Sequence, residues 1–420
     1  MRPFKFVHTA DLHLDSPFLG ISRLNESVAD ELREATFRTF ERILDICIDQ
    51  SVDFLLIAGD VYNSRDRSLR AQLRFRDGLR RLDDAGISAF VVHGNHDPLD
   101  SWAATLEWPE RVHIFGGKKV ERVVVEDSGN AFAQIYGISY PTREIRRNLA
   151  REFPRVDDGP FAIGLLHCSV GDATGHEPYA PCTVEDLVNA GMDYWALGHV
   201  HNRTIVCLED PVIAYPGNPQ GCNVGEQKER GCYLVRVNEE GHSTLDFVPV
   251  DTIRWFWETL RIEQAGNEDE LIHAVESLCG AMRGQAGNRP ALCRITLTGR
   301  SPMHRKLTQP GFVDDLASAI RESEGDRDPP VWLERIEVDT RPVVDIEARR
   351  SGQDFLSDLL ALISEYRGDP TLMDSLRSEL APLYESRRGR SSIEGLTDEE
   401  LLWCLEAAEA RCLDLLAGDD

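Results

Sequence analysis

Short apolar runs, each followed by a small polar cluster, recur through the first half of the chain. Phe4-Lys5-Phe6-Val7 leads to Asp11-Leu12-His13, and Phe54-Leu55-Leu56-Ile57 leads to Gly59-Asp60. Ala89-Phe90-Val91-Val92 precedes Gly94-Asn95-His96-Asp97, Ala162-Ile163-Gly164-Leu165-Leu166 precedes His167, and Tyr194-Trp195-Ala196-Leu197 precedes Gly198-His199-Val200-His201. Continuous apolar runs of this length predict parallel strands buried on both faces. Between the first two runs, Leu32, Phe37, Phe40, Ile43, Leu44 and Ile48 recur near helical spacing and predict a helix over 26–50. A second helix is predicted over 65–85, short strands within 105–140, and a helix and loop over 142–160. Val212-Ile213-Ala214-Tyr215 and Cys232-Tyr233-Leu234-Val235-Arg236-Val237 predict antiparallel strands closing the sheet. The first 250 residues thus read as one α/β domain, with the polar clusters at the carboxyl ends of the strands, where such folds collect ligands.

The pattern changes after residue 250. Strands at 255–260, 291–297 and 332–338 alternate with helices at 268–283 and 312–322, giving β-α-β-α-β over 251–345. Residues 346–420 read as helical. Leu356, Leu359, Leu360 and Ile363 form one apolar stripe, and Leu401, Leu402, Leu405, Leu413, Leu415 and Leu416 another, with Arg387-Arg388-Gly389-Arg390 as a linker. Such stripes pack within the chain or dock a partner.

The clusters supply Asp11, His13, Asp60, Asn95, His96, Asp97, His167, His199 and His201. A phosphodiester repels hydroxide and has a poor leaving group. Two divalent cations roughly 3.5–4 Å apart overcome both obstacles by clamping the attacking and leaving oxygens and acidifying a bound water. Cations that close need an anionic bridge, and Asp60 can give one oxygen to each. In extended chain, residues i and i+2 share a side, so Asp11 with His13, and His199 with His201, each present two ligands to one site. Imidazole mixed with carboxylate suits Mn²⁺, Fe²⁺ or Zn²⁺, whereas Ca²⁺ and Mg²⁺ prefer oxygen alone.

Composition narrows the setting. The 420 residues carry 46 Lys and Arg against 72 Asp and Glu, a net charge of −26, which argues against non-specific duplex binding over the whole surface. A local basic groove remains compatible with it, because screening limits each charge to about 8 Å at physiological salt. Arg65, Arg67, Arg70, Arg74, Arg76, Arg80 and Arg81 offer either such a phosphate-tracking stripe or a solvated helix face beside neighbouring aspartates. The ten cysteines include no Cys-x-x-Cys pair, no run approaches a bilayer span, and Met1-Arg2-Pro3 leads directly into a strand, so the expectation is a cytoplasmic chain with reduced thiols and no membrane association.

Taken with Asp15-Ser16-Pro17-Phe18 after the first cluster and Tyr215-Pro216-Gly217-Asn218 after the last, these motifs resemble the calcineurin-like metallophosphoesterases over about residues 4–235, and within them the SbcD-type DNA-repair exonucleases of the YhaO-like branch. The resemblance implies an α/β sandwich with a small α+β capping domain over 251–345 and a helical C-terminal partner-docking region over 346–420. It implies that Asp11, His13, Asp60 and His201 hold one metal, and that Asp60, Asn95, His167 and His199 hold the other. His96 would act at the scissile phosphate, stabilising the transition state or protonating the leaving oxygen, with Asp97 orienting it. It further implies a Mn²⁺-dependent DNA exonuclease or endonuclease acting in repair or end processing, an SMC-like (SbcC-type) coiled-coil ATPase partner, and a homodimer formed through the catalytic domain. The alternatives are a phosphatase or phosphodiesterase acting on small molecules or proteins with the same metals, since fold does not fix substrate, and a non-enzymatic subunit that organises the ATPase. Cys168 beside His167 is either a redox-sensitive thiol or a small buried hydrophobe. Trp255 and Trp257 either stack on bases or pack one face of the cap. His8, His93 and His113 are expected to be structural, and His176 and His304 to lie in loops.

Overall fold

The apolar runs are strands, and they divide between two sheets. The computed structural model describes residues 1–16, 18, 26–63, 68–154, 159–171, 179–343, 354–385 and 396–416. The first sheet contains β1 (Phe4–Thr9), β2 (Phe54–Ala58), β3 (Ser88–Val92), β4 (Val112–Ile114), β11 (Gly231–Val237) and β12 (Ser243–Pro249), in the order β12-β11-β1-β2-β3-β4. The second contains β5 (Glu121–Asp127), β6 (Asn130–Gly137), β7 (Phe161–His167), β8 (Tyr194–Gly198), β9 (Thr204–Cys207) and β10 (Val212–Tyr215), in the order β5-β6-β7-β8-β10-β9. β1, β2, β3 and β4 are mutually parallel, as are β6, β7, β8 and β10.

Alternating side chains explain why the strands read as unbroken apolar runs. Phe4, Phe6, Phe54, Leu56 and Phe90 of the first sheet share a core with Ile135, Phe161, Ile163, Leu165 and Ala196 of the second. The intervening Val7, Leu55, Ile57, Ala89 and Val91 face the other way, onto α1 (Glu26–Asp49) and α2 (Leu69–Asp84) through Phe37, Phe40, Leu44, Phe75 and Leu79. On the far side of the second sheet, Leu166, Trp195, Leu197 and Ile213 pack with Leu149, Phe153 and Leu187. The central strands of both sheets are covered on both faces, so most of their positions are apolar.

Two expectations are corrected here. Val212–Tyr215 does not join Gly231–Val237 in closing one sheet: β10 pairs parallel with β8 and antiparallel with β9, whereas β11 pairs antiparallel with β1 in the other sheet. The stretch 142–160 forms, among its described residues, only a single 3-10 turn at Ala150–Glu152.

The remaining elements are β13 (Arg254–Arg261), α4 (Glu268–Ala286), β14 (Ala291–Arg300), α5 (His304–Leu307), α6 (Phe312–Gly325) and β15 (Val331–Arg341), with the strands in one sheet in the order β13-β14-β15. They are followed by α7 (Phe355–Gly368), α8 (Pro370–Glu385) and α9 (Asp398–Leu416). The chain separates into two compact units. One comprises Met1–Trp257, Cys279–Arg294 and Ser323–Glu334, and the other Glu258–Leu278, Ile295–Glu322 and Arg335–Asp420. In the second unit Leu356 and Leu360 of α7 bury against Leu413 of α9, and Arg367 pairs with Glu409 at 2.6 Å. Part of the apolar stripe on α7 and α9 is thus covered within the chain, while Phe355 and Trp403 are exposed. The Arg387-Arg388-Gly389-Arg390 linker lies outside the described residues. Trp255 is buried and stacks on Phe18, whereas Trp257 is exposed, with Arg294 over its ring.

Candidate metal centre

Five strand ends bring the predicted clusters to one place. Asp11 and His13 follow β1, Asp60 follows β2, Asn95 and His96 follow β3, His167 ends β7, and His199 and His201 follow β8. The sandwich therefore supplies the site from both sheets. Asp11, His13, Asp60 and His199 have left-handed backbones with φ of 52°, 43°, 48° and 102°. Such conformations cost about 1–3 kcal/mol each and persist where the surrounding structure demands them. Here they turn the chain back sharply at the strand ends, and the Asp11 and His13 amides are held by the carbonyls of Gly59 and Asp60 at 3.0 and 3.1 Å. Glycine is needed at two close approaches. A Cβ on Gly94 would lie 2.3 Å from Asp60 Oδ1, and one on Gly198 only 1.8 Å from the Ala58 carbonyl oxygen.

The side chains converge with their lone pairs facing one another. His13 Nε2 lies 3.1 Å from His201 Nε2 and 3.9 Å from Asp60 Oδ2. On the other side of Asp60, His167 Nε2 lies 3.4 Å from the same Oδ2 and 2.9 Å from Asn95 Oδ1, which is 3.2 Å from His199 Nδ1. Asp11, His13 and His201 form one group able to hold a cation, and Asp11, Asp60 and His167 another. Asp11 therefore belongs to both, and it also accepts the His199 amide on both oxygens. Second partners fix the tautomers. His167 Nδ1 donates to the Ala58 carbonyl at 2.9 Å, and His201 Nδ1 donates to Glu226 at 2.7 Å, so each ring, once it loses its second proton, turns a bare Nε2 inward. A buried cluster of acceptors with so few donors is the donor set a pair of cations would satisfy.

The electrostatics carry the same tension. Burial disfavours the Asp60 carboxylate, yet the imidazoles of His167, His13 and His96 outweigh it and hold its pKa well below the usual range. Burial raises Asp11 to about 6, and lowers His13 to about 3 with the help of His201. His167 is opposed by burial, but Asp60 and Asp11 raise it to about 9. His201 is raised despite burial, chiefly by Glu226.

His96 stands at the rim. Its amide donates to Asp60 Oδ1 at 2.9 Å, its Nδ1 faces the Asn63 carbonyl at 3.0 Å, and with His13 and His201 it lines a cavity of about 130 Å³. The expectation that Asp97 orients His96 is corrected. The Asp97 carboxylate takes His93 Nδ1 at 2.8 Å and the amides of Gly94 and Val61 at 2.8 and 2.9 Å. It thereby ties the loop after β3 to the loop after β2, and it does so without exposure to solvent.

Sequence reasoning missed Glu226 and Arg230. Glu226 is buried, grips His201, and takes the Cys222 amide on its other oxygen at 2.7 Å. Burial opposes its charge, but His201 holds it down to about 2. Arg230 donates to the His201 carbonyl and, at 2.6 Å, to Asn218 Oδ1. Both residues lie in a polar loop without periodicity, and the only local signal near them was the Tyr215-Pro216-Gly217-Asn218 segment. That segment braces the His201 loop: the Asn218 amide donates to the His201 carbonyl at 3.2 Å, and Tyr215 Oη donates to the Cys168 carbonyl at 2.9 Å.

Other expectations fall into place. His8 is buried against Tyr194 Oη and the Leu197 carbonyl, and burial drops it to about 3. Cys168 is fully buried with its Sγ 3.8 Å from that of Cys182, and burial raises its thiol well above its usual range, which disfavours a reactive thiolate. The arginines of α2 do not form a free cationic stripe: Arg70 and Arg74 grip Glu34, Arg76 and Arg80 meet Asp77, and Arg81 meets Asp45. Arg65, Arg67 and His176 lie outside the described residues.

Comparison with known proteins agrees with this architecture. Residues 4–203 match the calcineurin-like phosphoesterase family, and residues 255–341 match the middle domain of metallophosphoesterase YhaO. The chain is 38% identical to the uncharacterized metallophosphoesterase YhaO of Bacillus subtilis, over 80% of this chain and 81% of that one. It is 26% identical to the DNA double-strand break repair protein Mre11 of Sulfurisphaera tokodaii, over 50% of this chain and 54% of that one. It is 25% identical to the SbcD component of the SbcCD nuclease of Bacillus subtilis, over 53% of this chain and 63% of that one. A sandwich whose five strand ends meet at a cluster of histidines and carboxylates, together with these matches, places the chain in the calcineurin-like metallophosphoesterase family, with a YhaO-type middle domain.

Proposed function

We propose that the chain is a two-metal phosphodiesterase that cuts DNA with Mn²⁺. The observation that carries this reading is the placement of Asp60 Oδ2 between His13 Nε2 and His167 Nε2, at 3.9 and 3.4 Å, with acceptor groups ranged on both sides. In this reading Asp11, His13, Asp60 and His201 hold one cation and Asp60, Asn95, His167 and His199 the other. When bound, the pair supplies Lewis acidity and a hydroxide at neutral pH. The protein's own groups do the rest. Asp60 and Asp11 keep the site anionic enough to hold the metals, Glu226 and the Ala58 carbonyl fix the ring orientations, and the Asn63 carbonyl fixes His96. With Nδ1 engaged, the His96 Nε2 is the atom that hydrogen-bonds the phosphate or gives a proton to the leaving oxygen. The DNA assignment draws on the likeness to Mre11 and SbcD chains, as does a coiled-coil ATPase partner for the C-terminal helices. The test uses purified protein, Mn²⁺ and end-labelled DNA, beside a panel of small phosphomonoesters and diesters. Cleavage of DNA that falls by at least about 10²-fold in Asp60→Asn and His96→Ala, with folding intact, is expected. Activity confined to monoesters would refute the nuclease reading, and unchanged mutants would remove the site.

A further inference from the structure

Next to the His201 loop lies an open cavity of about 620 Å³ lined by Arg203, Lys228, Arg230, Asn202, Gln227 and Glu229 among others. Three cations gather here in a chain of net charge −26. Each is placed unlike the arginines of α2. Arg230 is buried, and its guanidinium hydrogen-bonds neutral oxygens, the His201 and Gln227 carbonyls and the side chains of Asn218 and Asn202, while the Glu226 and Asp251 carboxylates act on it from beyond ion-pair distance. Arg203 lies over the Phe247 ring at 3.9 Å, which leaves its donors unspent. Lys228 is exposed and has a left-handed backbone, with φ of 68°. Among the described residues, none of the three forms an ion pair with a carboxylate. The one acid on the lining, Glu229, is turned to Arg254 at 3.5 Å.

A cavity that gathers a buried guanidinium outside ion-pair distance of any carboxylate and two further cations beside it favours an anion at its open mouth. The cavity is coupled to the metal centre through shared backbone. Arg230 grips the His201 carbonyl, and Asn218, which Arg230 also holds, lines the metal-side cavity together with His13 and His96. We infer that this cavity is a subsite for a non-scissile phosphate of a nucleic-acid strand that continues past the bond being cut. The inference rests on the phosphodiesterase reading and sharpens it, because a polymer has a neighbouring phosphate to place there and a monoester has none. Arg230 positions the subsite; Arg203 and Lys228 contact the phosphate.

The test compares wild type with the double variant Arg203→Gln, Lys228→Asn. Asparagine tolerates the left-handed backbone, and neither residue belongs to the metal centre. Binding of a fluorescein-labelled single-stranded oligodeoxynucleotide is followed by anisotropy across a salt series, and hydrolysis of bis(4-nitrophenyl) phosphate with Mn²⁺ is followed in parallel. The variant is expected to bind the oligonucleotide about 10-fold more weakly, with the slope of log K against log salt reduced by about 1.4, or about 0.7 for each lost cation. Hydrolysis of the small diester is expected to stay unchanged. An equal loss on the small diester, or an unchanged slope in a wild type that binds the oligonucleotide, would overturn the subsite alone. A wild type that cleaves the small diester but does not bind the oligonucleotide would overturn the nucleic-acid reading together with it.

Discussion

Glu226 orients His201, a proposed metal ligand. It holds His201 Nδ1 at 2.7 Å and so decides which nitrogen faces the site. Glu226→Ala is expected to lower Mn²⁺ affinity by about 10–100-fold while the circular dichroism spectrum stays unchanged. Calorimetric titration measures it, and an unaltered affinity would show that His201 needs no such support. Protonation is set at the same scale. In the metal-free chain His167 keeps its proton up to about 9 against an ordinary value of 6.5, so its ion pair with Asp60 stabilises the fold fully below about 6.5 and is lost as pH rises through 9. A cation must displace that proton. Mn²⁺ binding at pH 7 is therefore expected to release protons, because His167 is charged there, whereas Asp11, at about 6, and His13, at about 3, are mostly deprotonated already. Titrations in buffers of differing ionisation enthalpy read the number released, and zero release would exclude His167 as a ligand.

Helices α1 and α2 approach each other at Gly78. A Cβ there would meet the Phe40 ring at 2.6 Å and Leu44 Cδ1 at 2.8 Å. Gly78→Ala is expected to destabilise the chain by about 1–3 kcal/mol through overpacking, read as a lower urea midpoint, with metal content unchanged. An equally stable variant would show that the helix pair can spread at little cost. What the sequence made legible, and what it hid, divides at this same scale. The strands were legible because burial on both faces leaves no polar residue within Phe54–Ala58 or Tyr194–Gly198. The site was legible because polar residues crowd where those runs end. Which sheet a run joins was hidden: Val212–Tyr215 is apolar enough for either, and only its parallel pairing with β8 decides it. Partners across the chain were hidden as well. Asp97 follows His96 directly, yet it reaches back to His93, because the loop carries the two neighbouring side chains to different partners. Whether the arginines of α2 form a free stripe was left open because Glu34 and Asp45, which hold Arg70, Arg74 and Arg81, lie on another helix.

The whole chain carries a net charge of −26, and part of that charge, on Asp11 and Asp60, is buried at the candidate metal centre. Among the described residues no helix is long and apolar enough to cross a membrane. Because the folded chain assembles the proposed ligands that the unfolded chain scatters from residue 11 to residue 201, metal binding is expected to stabilise the fold. At about 100 times its dissociation constant, Mn²⁺ is expected to add about 2.7 kcal/mol per site, seen as a melting temperature that rises with Mn²⁺ and falls again on chelation. A melting temperature indifferent to both would separate the site from folding. The dinuclear centre itself is tested most directly by anomalous diffraction from Mn²⁺-soaked crystals. Two peaks roughly 3.5–4 Å apart are expected, flanking the Asp60 carboxylate, one beside His13 and His201 and the other beside His167 and Asn95. A single peak, or peaks away from Asp60, would contradict it.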